Sequence, residues 1–177
     1  DRLPRWPLAC EKGCETTSRP LYLTSNFGLS FTAPTSGTPK DASGFDEYVS
    51  APAKPVPYLP RPVRFSEGQR WQTWLLSDQR HAADRTDVLS YMTPLLTEPV
   101  RIAGTPTVNL VASTSGSDSD WVVKLIDVYP DETPSQPEMA GYQFPVSMDI
   151  FRGRYREGFT VGKPLASNSP LPFRFIL

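Results

Sequence analysis

Between residues 107 and 128 the apolar positions follow two rhythms. Residues 107–113 alternate: Val108, Leu110 and Ala112 fall on one face, and Thr107, Asn109, Val111 and Ser113 on the other. Residues 121–128 are apolar almost throughout, broken only by Lys124 and Asp127. A period-two run beside a nearly continuous one, joined by a turn of Ser, Thr, Gly and Asp, predicts two strands of a β-sandwich. Trp, Val and Ile suit a pleated, half-buried surface. The pattern predicts further strands at 19–25, 29–33, 88–93, 100–103, 142–151 and 171–177, with Asn26, Phe27 and Gly28 turning between the first two. One helix is expected over 66–80, where Ser66 offers a cap and Trp71, Trp74 and Leu75 recur at i, i+3 and i+4. The expected core is Val108, Leu110, Trp121 or Val122, Val123, Leu125 and Ile126.

Composition sharpens this picture. Twenty prolines in 177 residues are about twice ordinary usage, which disfavours long helices and favours short strands with rigid connections. Five of them, Pro52, Pro55, Pro57, Pro60 and Pro62, predict an extended polyproline arm rather than a flexible linker. The expected organisation is a single structural domain, all-β with one short helix. Residues 1–65 form a Pro-rich approach with the first strands, and residues 66–177 form the sandwich. Eighteen basic and nineteen acidic side chains nearly cancel, leaving no excess to draw a nucleic-acid backbone. No apolar run approaches the ~18 residues of a membrane-spanning helix.

Candidate chemistry is sparse. No serine carries glycines two positions before and after it, as a nucleophile elbow requires. His81 is the sole histidine, near Asp78, Asp84 and Asp87; a surface-loop role is favoured over a general base because the nucleophile is missing. Ser115–Asp120 offers carboxylates to a hard cation but lacks the register of a calcium loop, so Asp118 and Asp120 are expected on turn amides. Trp71 and Trp74 suit packing better than a sugar platform. The segment 151–159 carries Arg152, Arg154 and Arg156 with Glu157, and alternation would set the three arginines on one side of an extended strand, where a cross-strand ion-pair ladder with Asp or Glu is favoured over an anion site. No catalytic, cofactor or metal residue is assigned.

Several stretches carry a family likeness. RPLYL at 19–23, FDEYVSAPAKPVPYLPRPV at 45–63, WLLSDQR at 74–80, STSGSDSDWVVKLIDVYP at 113–130 and FRGRYREGF at 151–159 together resemble the C-terminal jelly-roll domain of α-amino-acid ester hydrolases. These serine hydrolases are related to cocaine esterases, cephalosporin acylases and X-prolyl dipeptidyl peptidases. The resemblance implies a jelly roll that shapes a substrate entrance and packs on a preceding α/β-hydrolase domain, which would hold the catalytic residues. It further implies a homo-oligomer, no cofactor, and strands beyond Leu177 that this chain lacks. The competing readings are a free-standing carbohydrate-binding jelly roll and a purely structural cap of a dipeptidyl-peptidase-like hydrolase.

Cys10 and Cys14 are a candidate disulfide if their segment turns; zinc would need two further ligands, against one distant histidine. So small a loop would contribute roughly 2 kcal/mol on the chain-entropy account. Family members with secretory leaders meet an oxidising compartment, which favours the bridge and a periplasmic or secreted location.

Overall fold

The computed structural model describes residues 14–34, 44–56 and 68–177. Strands predominate: β1 (Tyr22–Thr24), β2 (Gly28–Ser30), β3 (Thr107–Ala112), β4 (Asp120–Val128), β5 (Gln143–Arg152) and β6 (Leu171–Ile176), with helices α1 (Gly68–Leu76) and α2 (Arg80–Ala83). Two compact units form, one of Asp1–Tyr58 with Arg80–Gly104, the other of Leu59–Gln79 with Thr105–Leu177.

In the second unit the core lies between two antiparallel ribbons. β3 pairs with β6, setting Val108 opposite Phe175, Leu110 opposite Phe173 and Ala112 opposite Leu171. β4 pairs with β5, setting Trp121 opposite Phe151. Trp121, Phe173 and Leu165 are the buried centre, with Leu110, Ala112, Phe151 and Leu171 against them. Ring contacts join the two ribbons: Trp121 to Phe173 at 5.3 Å, Phe151 to Phe173 at 5.8 Å and Phe151 to Phe175 at 5.5 Å. This packing is that of an all-β sandwich whose sheets are not closed.

The alternation read over 107–112 holds residue by residue, with Thr107, Asn109 and Val111 out and Val108, Leu110 and Ala112 in. The continuous run on β4 behaves differently from the expected core. Val123, Leu125 and Ile126 are half-buried, and Val122 is exposed opposite Ile150, which is exposed too. A two-stranded ribbon has one face on the core, so only Trp121 at its end reaches the centre. Leu165 and Phe173, absent from the expected core, take the deepest places.

Pro145 sits buried inside β5, where it would normally break a ladder. The register explains it. Leu125 faces Ser147 but Ile126 faces Pro145, so Val146 is the extra residue of a bulge.

The expected helix is shorter and broken. Ser66 lies outside the described residues, and α1 stops at Leu76. Ser77 turns its amide (3.3 Å) and hydroxyl (2.9 Å) onto the Trp74 carbonyl, and the Gln79 amide leaves for the Gln143 carbonyl at 3.1 Å. Side-chain and cross-element bonds here compete with the helical ladder. No strand forms over 88–93 or 100–103; Met92 makes only an isolated bridge to Gly28. At the start of the proline-rich stretch the Lys54 amide bonds the Ala51 carbonyl at 2.8 Å, a turn rather than an extended arm, and residues 57–62 lie outside the description.

Candidate functional site

The first unit is organised by a strained hairpin. β1 and β2 are joined through Asn26 (φ 58°) and Phe27 (φ 55°), with the Gly28 amide directed to the Ser25 carbonyl at 3.4 Å. Two positive φ values make this a type I′ turn, whose twist matches the strands it joins. Asn tolerates that region, whereas Phe does so at a cost of ~1–2 kcal/mol. Neighbouring contacts hold it there. The Phe27 carbonyl accepts the Met92 amide at 2.9 Å, the Leu29 amide donates to the Met92 carbonyl at 2.8 Å, and the Phe27 ring lies 5.8 Å from that of Tyr91. The Tyr91 hydroxyl donates to Asp46 Oδ2 at 2.7 Å. Burial, then the bond to Asp46, pushes the Tyr91 phenol well above its ordinary range. The pattern marked 88–93 as a strand and Asn26-Phe27-Gly28 as a turn, but nothing in it joined the two or brought Asp46 to Tyr91.

Beside it runs an open groove of about 320 Å3, lined by Arg19, Leu29, Ser30, Phe31 and residues 93–100. The Arg19 guanidinium lies over the Phe31 ring at 4.3 Å. Also in this unit, Arg85 grips Asp87 with two bonds, Nε to Oδ1 at 2.7 Å and Nη2 to Oδ2 at 2.6 Å, and donates to the Lys54 carbonyl. That fork holds the Asp87 carboxyl below its usual range.

In the second unit a polar clamp fixes the end of α1. Gln79 is 2% exposed; its Nε2 donates to the Ser77 carbonyl and its Oε1 accepts from Lys124 Nζ, both at 2.6 Å. The Tyr142 hydroxyl donates to the Leu76 carbonyl at 2.6 Å, and the Gln143 amide to Asp78 Oδ1 at 3.3 Å. Burial lowers the Lys124 ammonium from its ordinary value. In sequence Lys124 was a mere interruption of an apolar run.

The residues singled out from sequence are dispersed among structural roles. His81 is exposed on the four-residue α2 rather than on a loop. Of its neighbouring acids, Asp87 belongs to Arg85 and Asp78 receives the Gln143 amide. The arginines do not share one extended strand: β5 ends at Arg152 and a 3-10 turn, Gly153–Tyr155, follows. Each arginine still meets a carboxylate, Arg152 with Asp120 at 3.6 Å, Arg154 with Asp118 at 2.5 Å and Arg156 with Glu157 at 3.3 Å. Asp118 and Asp120 therefore serve these arginines, not the turn amides expected for them. The carbonyls of the turn are used instead: Ser115 accepts the Ser167 hydroxyl (2.7 Å), Ser117 the Leu165 amide (2.8 Å) and Ser119 the Gly153 amide (2.9 Å).

Among the described residues, no group of three or more His, Cys, Asp or Glu is placed to hold a metal ion. Trp74 is half-buried, unlike the exposed flat face that a sugar platform needs, and the Trp71 side chain lies outside the description. Cys14 is disulfide-bonded, and Cys10 lies outside the described residues.

These arrangements are structural, and the comparisons with known proteins agree. A family model described as the X-Pro dipeptidyl-peptidase C-terminal non-catalytic domain matches residues 12–177. Cocaine esterase of a Rhodococcus species is 36% identical over 159 residues, 86% of this chain and 24% of that protein. A solved α-amino acid ester hydrolase, labelled with selenomethionine, is 60% identical with a TM-score of 0.86, covering 99% of this chain and 28% of that one. An aminopeptidase from a marine sediment archaeon (Thaumarchaeota) is 52% identical with a TM-score of 0.78, covering 88% of this chain and 25% of its own. The chain thus spans about a quarter of the length of these relatives. It belongs to the family of X-Pro dipeptidyl-peptidase C-terminal non-catalytic domains.

Proposed function

We propose that this chain is the non-catalytic C-terminal domain of a serine hydrolase acting on α-amino-acid esters or β-lactam amides, where it shapes the substrate entrance and packs against the catalytic domain. The observation that carries this reading is the 60% identity to an α-amino acid ester hydrolase across 99% of the chain. The match of residues 12–177 to a family model described as non-catalytic supports it. The parent reaction is acyl transfer through a serine ester, with histidine moving the proton and backbone amides holding the oxyanion. The parent assembles as a homo-oligomer. It works in the periplasm or outside the cell, a location supported by the bonded state of Cys14 and completed by its pairing with Cys10.

The test is a fluorophosphonate probe applied to the full-length protein, followed by peptide mapping and turnover of a phenylglycine ester. The label is expected on a serine outside these 177 residues, with turnover lost on replacing that serine by alanine. A labelled serine inside them, or turnover abolished by His81→Ala alone, would overturn the reading.

A further inference from the structure

The groove beside β2 combines two recognition elements. Its lining mixes polar and apolar groups, and several of the apolar side chains are open to solvent: Leu95 is 84% exposed, Leu96 52% and Val100 44%. At its side, the Arg19 guanidinium carbon lies over the Phe31 ring, 4.3 Å from its centre. A guanidinium attracted to a ring face still carries five N–H donors, and such a fork takes a carboxylate in bidentate fashion. Among the described residues Arg19 has no carboxylate partner, although Glu98 lines the same groove. Exposed leucine and valine side chains beside a cationic guanidinium are complementary to an apolar side chain standing beside a carboxylate.

Resting on the proposed function above, we propose that this groove seats a segment of the catalytic part of the same polypeptide. In that segment an Asp or Glu reaches Arg19, and an adjoining apolar side chain lies along Leu95, Leu96 and Val100. The relatives carry about three quarters of their length outside the region this chain matches, so such a segment has ample source. Exposed leucines with one stacked arginine fit an interface better than water, since aromatic and arginine anchors dominate interfaces while apolar side chains supply the desolvated surround.

The test is carbodiimide footprinting of carboxylates in the full-length parent, read by peptide mass spectrometry. In Arg19→Ala, one Asp or Glu outside this chain is expected to label about fivefold faster, the change expected for losing one ion pair of moderate strength. Leu96→Asp should raise labelling at the same carboxylate by displacing its neighbour from the groove. Arg19 and Leu96 are both exposed, so neither variant removes a core contact. The proposal is overturned if no carboxylate responds, or if Glu98 alone responds, which would make the pair internal. A response that vanishes when the parent is diluted to a monomer overturns it in favour of a second copy. Ester turnover of the parent, measured alongside, separates the two readings: turnover with no footprint rejects the docking alone, and a footprint without turnover rejects the activity alone.

Discussion

Lys124 places its ammonium 2.6 Å from the Oε1 of Gln79, a side chain almost wholly withdrawn from water. The bond joins the middle of β4 to a residue three positions past the end of α1. Removing the lysine leaves a buried amide oxygen unpaired, and such a group costs about 1–3 kcal/mol. Lys124→Met should therefore destabilise by that amount in urea unfolding. Lys124→Met combined with Gln79→Leu should recover part of the loss, because both polar ends are then gone. Additive losses in the double-mutant cycle would show that the two side chains do not interact.

The same lysine sets a pH dependence. Its folded value lies below its unfolded one because burial disfavours the ammonium. Between those two values the unfolded chain holds more protons, so this group's contribution to stability rises with pH as the alkaline range is entered. Lys124→Met should remove that rise, which parallel unfolding curves between neutral and alkaline pH would reveal.

Asp87 works in the opposite direction. The Arg85 fork lowers its folded value from 3.8, so its contribution is present above the unfolded value and is lost as pH falls through the folded one. Asp87→Asn should weaken the protein at neutral pH and flatten its acid limb. An acid limb unchanged in the variant would place acid sensitivity elsewhere.

Phe27 stores strain that a pair of substitutions can isolate. Phe27→Ala loses the Tyr91 ring contact and keeps the left-handed backbone; Phe27→Gly loses the same contact and relieves the backbone. The glycine variant should be the more stable by about 1 kcal/mol. Equal stabilities would mean that the turn relaxes away from positive φ when the ring is removed.

Gly153 has no room for a side chain. A Cβ there would stand 2.8 Å from the Ser119 carbonyl oxygen and 2.9 Å from Leu165 Cδ1. Gly153→Ala should cost about 1–3 kcal/mol through overpacking. A thermal unfolding midpoint within error of the parent's would mean that the turn yields without penalty.

Strand signals were legible wherever a period of two met a buried face. Val108, Leu110 and Ala112 declared their face because solvent lies opposite, and the last strand alternated in the same way through Leu171, Phe173 and Phe175. Depth was not legible. Leu165 stands in an irregular segment with no period, and it is buried because the Ser117 carbonyl takes its amide and draws it under the turn. The run 122–126 reads as deeply buried, yet hydrophobicity cannot say whether a ribbon has one covered face or two. The short strands predicted at 88–93 and 100–103 failed because apolar content there serves the groove and the Met92 bridge, not a ladder. The arginines were legible as partners of acids, but the 3-10 turn at Gly153 that redirects Arg154 was not. Its cause is a steric approach to Ser119 that only three dimensions reveal.

The order of pairing has a kinetic meaning. β3 and β6 meet across a long sequence separation, Thr107 with Ile176, whereas β4 and β5, paired with each other, lie wholly between them. Closing the outer pair directly means ordering a long loop. Once the inner ladder has zipped, its strands no longer add to that loop, and the remaining closure is short. The protein should thus assemble from the inside outward. Substitutions at Val123 or Leu125 should slow folding, whereas those at Leu110 or Phe175 should chiefly hasten unfolding.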